Sequence, residues 1–220
     1  MSAVQFRGAV FDLDGTLIDS MPFFFQALAE ALSRRGAAPD QQYFLRWHGQ
    51  RQPMELLLKH HGLQDVDRTA FLDEFGSNFT NRVRESVQWI PQAEELLQNL
   101  RDAGVPMGVL TNAPPRHLEA ANFRLGLDRY CGALVTPADV GFKSKPAPDG
   151  LLHTVQRLGL TAAQCIYVGD QHFDLLAARN AGTGCIFLRS QYSGPTDIRP
   201  DFEFTSILDV RTLFGGLHGV

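Results

Sequence analysis

Residues 10–20 read Val-Phe-Asp-Leu-Asp-Gly-Thr-Leu-Ile-Asp-Ser, an apolar run that ends in two carboxylates spaced i, i+2 and then turns on a glycine. In an extended chain Asp12 and Asp14 project to the same side of a strand end, and Gly15 lets the backbone leave sharply. Burying such a pair without a partner costs several kcal/mol per charge, so a strand interior has no use for it. A hard divalent cation that prefers oxygen ligands, Mg²⁺ above all, answers the charge.

Working outward, short apolar runs recur at residues 9–11, 107–110, 133–135, 165–168 and 185–188, separated mostly by segments of helical periodicity. That alternation predicts an α/β fold, a Rossmann-like parallel sheet with helices on both faces. Active residues in such sheets gather at the carboxyl ends of strands, where Asp12, Thr111 and Asp170 fall. The rhythm breaks between Ser20 and Trp89, where helical stretches are predicted at 23–34, 41–47, 54–60 and 69–83. The chain therefore divides into a discontinuous core, residues 1–19 and 88–220, and a small all-helical insertion, residues 20–87. Residues 202–204 are expected to add an edge strand and 207–214 a last helix.

With 220 residues, 44% hydrophobic and 20% charged, the chain has the makeup of a soluble globular protein with a substantial core. A net charge of −4 gives no broad basic field, which argues against an extended nucleic-acid partner. Cys131, Cys165 and Cys185 lie far apart, lack zinc-ligand spacing and read as small core residues. Without a signal-peptide core or a membrane-length apolar run, the expectation is a cytoplasmic protein with no membrane partner.

Three further segments carry chemistry. Val109-Leu110-Thr111-Asn112 ends a strand on a hydroxyl and a side-chain amide, donors that suit phosphate oxygens and are also common turn chemistry. Lys143-Ser144-Lys145-Pro146-Ala147-Pro148-Asp149 presents lysines on a loop restricted by two prolines, with Asp149 read as the N-cap of the next helix. In Val168-Gly169-Asp170-Gln171-His172-Phe173-Asp174, Asp170 ends an apolar strand and Asp174 falls in the first turn of a helix. Both can face one cation, and Asp174 would also complement the helix dipole.

These four segments together resemble the signatures of the haloacid dehalogenase-like hydrolase superfamily, most of whose members transfer phosphoryl groups. The likeness in order and spacing runs over essentially the whole chain, and family members carry helical caps at this same insertion point. It implies a Mg²⁺-dependent phosphatase acting on a small-molecule phosphate monoester, with an aspartyl-phosphate on Asp12 and Asp14 as general acid/base. The resemblance also implies that Asp12, Asp170, Asp174 and the Asp14 backbone carbonyl serve the metal. Thr111, Asn112 and Lys145 would surround the phosphoryl oxygens. Lys145 matches the family lysine because it directly precedes Pro-x-Pro-Asp, which leaves Lys143 as solvated surface charge. His172 occupies a variable family position, and Gln171 stands where the family often has Ser.

Asp14 favours phosphorus over carbon as the electrophile, since halide-displacing relatives lack that second carboxylate. Phe24 stands near where related hexose-phosphate mutases often have a histidine. The segments Asp19-Ser20-x-Pro22 and Leu110-Thr111-Asn112 look more like phosphoglycolate phosphatase-like hydrolases, with a phosphosugar mutase or a catalytically silent binding relative as alternatives. Substrate choice is assigned to the loop 47–53, where the Arg51 guanidinium can form paired hydrogen bonds to an anionic or hydroxyl-bearing substrate or a cap salt bridge. Phe23, Phe24 and Phe25 are expected either to line the pocket or to pack the first cap helix.

Overall fold

Alternating side chains split β1 (Gly8–Phe11) between two cores: Ala9 and Phe11 pack on one face of the sheet and Val10 on the other. Burial on both faces is what a central strand of a parallel sheet requires. The computed structural model describes residues 6–50 and 52–214, and in it β1 lies between β2 (Met107–Leu110) and β4 (Cys165–Gly169). Outside these lie β3 (Ala133–Val135), β5 (Gly184–Leu188) and β6 (Phe202–Phe204), giving the order β3-β2-β1-β4-β5-β6 with every pair parallel. Phe11 is in register with both Val109 and Val168, so the three central strands end side by side. The expected edge strand is present, and the expected last helix is a 3-10 helix, Ile207–Leu213.

Helices α5 (Ala93–Asp102) and α6 (Pro115–Leu125) cover one face, burying Leu96, Leu97, Leu100 and Leu118 against Phe11 and Val109. On the other face α7 (Asp149–Arg157) and α8 (His172–Ala181) bury Leu151, Val155 and Leu175 against Val10 and Tyr167. Asp149 is not the cap of α7: Pro148 takes that place, and the Asp149 carboxylate accepts from Lys143 Nζ at 2.5 Å. All three cysteines are buried and free, and burial pushes the Cys131 thiol up to about 12. Among the described residues no helix is long and apolar enough to cross a membrane.

Between β1 and β2 the chain forms α1 (Met21–Ser33), α2 (Gln41–Gly49), α3 (Met54–His60) and α4 (Arg68–Ser86). Asp40 and Asp67 cap α2 and α4 by accepting from Tyr43 N at 2.9 Å and Ala70 N at 3.1 Å, contacts worth about 0.5–2 kcal/mol each. These helices share an apolar cluster of their own, with Leu28, Leu32, Leu57 and Phe71 at its centre. Where the chain leaves and rejoins the sheet, Ile18 and Trp89 form an isolated antiparallel bridge. Asp19 N donates to Gln88 O at 3.0 Å and Ile90 N to Leu17 O at 2.8 Å beside it. Helix α4 then lies against α6, carrying one wall of the insertion over the carboxyl ends of β1 and β2.

Candidate active site

The three central strands end in side chains that share one hydrogen-bond network. Beyond β1, Asp12 is held in the sheet by its N–H, which donates to Val168 O at 2.8 Å. Gly15 then takes φ 84°, and a Cβ there would lie 2.9 Å from Asp170 Oδ2, so only glycine permits this turn beside the carboxylate. Thr16 Oγ1 donates to Asp170 Oδ1 at 3.2 Å, and Gln171 Nε2 donates to Asp170 Oδ2 at 2.7 Å. Gly169 ends β4 because α8 starts immediately above it: a Cβ would fall 2.3 Å from Asp174 Cβ. In that first turn Asp174 Oδ2 accepts from Gln171 N at 2.9 Å.

Lys145 ties the network together. Its side chain is 1% exposed, and Nζ donates to Asp12 Oδ1 at 2.6 Å, Asp174 Oδ1 at 2.8 Å and Tyr167 Oη at 2.9 Å. Tyr167 Oη donates in turn to Asp174 Oδ1 at 3.1 Å. The Lys145 main chain is fixed from β2: its N–H donates to Asn112 Oδ1 at 2.8 Å, and Asn112 Nδ2 donates to its carbonyl at 3.2 Å. Both ends of the Asn112 amide thus hold the lysine loop. Thr111 Oγ1 accepts from Ala113 N at 3.0 Å and faces the same cavity.

Three buried carboxylates facing one ammonium leave the site over-supplied with negative charge. Burial lifts Asp12 well above the usual carboxylate range; Lys145 pulls it down and Asp174 and Asp170 push it up. Burial and then Asp174 raise Asp170 to about 7. For Lys145, burial favours loss of its proton, but Asp12 and Asp174 outweigh it and the ammonium is held more firmly than usual. The oxygens of Asp12, Asp170 and Asp174 lie within 4.8 Å of one another. That set of hard oxygen donors with uncompensated charge fits a divalent cation. The Asp14 side chain is not part of it.

Asp14 instead meets a residue that the sequence reading passed over. His117 is 1% exposed, and its Nε2 lies 2.9 Å from Asp14 Oδ1. Burial would raise the Asp14 pKa, but the charge and hydrogen bond of His117 outweigh it and hold the carboxyl below its ordinary value. Ser20 Oγ, buried and outside hydrogen-bond geometry, is near enough to favour the same anion. A signal for His117 was present: Pro114-Pro115 launches a helix directly from the strand end bearing Thr111, which places the first turn of α6 over the site. Phe79 of α4 lies on His117 with ring centroids 4.6 Å apart.

Asp12, Asp14, Thr111, Asn112 and Lys145 line one cavity of about 290 Å³, with Asp170 and Asp174 bonded behind them. Its remaining wall comes from the helical insertion, including Phe24, which lines the cavity, whereas Phe23 packs towards the sheet core and Phe25 within the insertion. His172 lies aside, its Nδ1 2.8 Å from Thr196 Oγ1. Arg51 lies outside the described residues.

A parallel sheet with carboxylates gathered at the end of its central strand, and a helical segment inserted after that strand, define a Rossmann-like α/β core with its site under the insertion. Residues 6–182 match the haloacid dehalogenase-like hydrolase family, and the chain belongs to it. Among its relatives is a phosphoglycolate phosphatase of Yersinia pestis, 32% identical over 194 residues that cover 85% of this chain and 82% of that one. Among solved structures, a predicted phosphoglycolate phosphatase of Haemophilus somnus superposes with a TM-score of 0.82 at 23% identity, covering 95% of this chain and 98% of the other. A family hydrolase of Deinococcus radiodurans with bound phosphate and sodium gives a TM-score of 0.77 at 26% identity, covering 95% of each chain.

Proposed function

We propose that the protein is a Mg²⁺-dependent phosphatase that hydrolyses a small phosphate monoester through an aspartyl-phosphate on Asp12. The observation that carries the reading is the placement of Asp12 on the cavity wall, 2.6 Å from Lys145 Nζ and inside the Asp170–Asp174 cluster. A carboxylate needs no base to make it a nucleophile. It needs orientation, which the β1 ladder and Lys145 supply.

In the first half of the reaction an Asp12 oxygen bonds to phosphorus as the ester bond breaks, and the leaving oxygen takes a proton from Asp14. In the second half water attacks the aspartyl-phosphate, Asp14 accepts its proton, and Asp12 is released with inorganic phosphate. His117 holds one Asp14 oxygen and favours the anion in the free site. Asp14 therefore takes up its proton as the anionic phosphoryl group binds, passes it to the leaving oxygen from the oxygen that His117 does not hold, and recovers one from the attacking water. Lys145 and the Thr111 hydroxyl stabilise charge on the phosphoryl oxygens, and Asn112 keeps Lys145 in place. Asp12, Asp170 and Asp174 would hold Mg²⁺, which when bound neutralises charge shared by nucleophile and phosphate.

The helical insertion is read as a cap over residues 20–87 that turns about its two linkers, admits substrate and then excludes water. Arg51 remains the candidate for reading the substrate's outer groups. The direct test is Asp12→Asn: phosphate release with Mg²⁺ should fall by about 10³-fold or more, and no acid-stable label from a ³²P-monoester should remain on the chain. Undiminished turnover would refute the nucleophile assignment.

A further inference from the structure

The cavity keeps its charges at one end. Asp12, Asp14, His117 and Lys145 are each bonded to another group of the site. Among the described lining residues Lys145 is the only lysine or arginine. Arg116, next along α6, reaches Ser77 on α4 at 3.5 Å and does not line the cavity.

The wall facing the leaving group is aromatic. Phe24 stands edge-on to Phe75 at 4.8 Å and 73° and to Phe79 at 5.2 Å and 73°, while the Phe75 and Phe79 planes run parallel within 5°. His48 meets the Phe24 ring at 5.9 Å and 68°, which locks one more ring into the same wall. Met21 and Phe173 close the sides. Apart from the His48 ring, the polar lining on the insertion side is the hydroxyls of Ser20 and Thr80.

Resting on the phosphatase reading above, we propose that the substrate is a monoester whose alcohol is uncharged and carries a planar ring. Edge-to-face rings reward a flat apolar group with buried area and quadrupole contacts. A carboxylate on the same alcohol would be stripped of water against these rings with no described lysine or arginine on that wall to receive it. The size agrees: about 290 Å³ lies at the small end of ligand cavities and suits a phosphoryl group with one ring, not a nucleotide.

The test compares benzyl phosphate, 4-carboxybenzyl phosphate and phosphoglycolate under one Mg²⁺ concentration. All three are esters of primary alcohols that leave protonated by Asp14, so intrinsic reactivity does not decide the order. Benzyl phosphate should exceed both others in kcat/KM by about tenfold or more. Phe79→Leu and the milder Phe24→Leu should each erase most of that margin by raising KM for benzyl phosphate more than KM for phosphoglycolate. Preference for phosphoglycolate, or for the carboxylated ring, overturns the aromatic pocket and leaves the phosphatase reading standing. Failure to release phosphate from all three overturns both.

Discussion

Asp170 binds its proton more tightly in the fold than in an unfolded chain, where a carboxyl titrates near 3.8; in the protein it lies at about 7. Its stabilising contribution is therefore complete below the lower value and is lost as pH rises through the higher one. In metal-free protein Asp170→Asn should raise Tm at pH 8, and the gain should shrink at pH 5, where the folded wild type already carries the proton. A gain independent of pH would show that burial of Asp170 is not the source of the strain. His117 makes a different kind of residue-level claim. Its replacement by Ala should cost about 10²-fold in kcat by freeing Asp14 to rotate, and Asn, which keeps a donor, should recover part of it. Equal losses from Ala and Asn would remove the positioning role. The carboxylates at strand ends were legible because their charge contradicts the apolar runs around them. His117 was legible only by place, from the Pro114-Pro115 helix start beside Thr111, and its role was not, because a histidine on an amphipathic helix is unremarkable until the partner across the sheet end is known.

At the level of elements, the apolar runs forecast β1 to β5, the four interior strands and the edge strand β3, since residues buried on both sheet faces must be continuously apolar. Helix ends were harder to read. Asp149 had the chemistry of a cap, yet Pro148 occupies that place and the carboxylate turns to Lys143, a contact between a loop lysine and the first residue of the helix that no periodicity encodes. The junction of β4 with α8 is the tightest joint in the site, and it yields a prediction that spares every charged group. Gly169→Ala would set a methyl 2.3 Å from Asp174 Cβ, with backbone-near atoms that cannot swing aside. Activity should fall by about 10²-fold while circular dichroism stays close to wild type. Full activity in that variant would mean the start of α8 can shift without consequence. Asn112 shows the same dependence on tertiary detail: its residue type suggested a phosphate donor, and its two hydrogen bonds to the Lys145 main chain give it the task of fixing a loop.

For the whole molecule, the surplus charge at the head of the sheet links stability to the cation. Mg²⁺ at about 100 times its Kd should add about 2.7 kcal/mol, and at about 2–4 °C per kcal/mol for a chain of this size the Tm should rise by roughly 5–11 °C. A chelator should reverse the rise, and Asp170→Asn should blunt it; an unchanged melting curve would remove the cation from this cluster. The bridge between Ile18 and Trp89 has an evolutionary and practical corollary. Because the polypeptide departs from the sheet and comes back at touching points, the four intervening helices are a cassette on a single socket. A replacement whose ends sit one bridge apart can be spliced in provided it restores the ring that α4 lays on His117, so lineages and engineers alike can exchange what the protein recognises while keeping its chemistry.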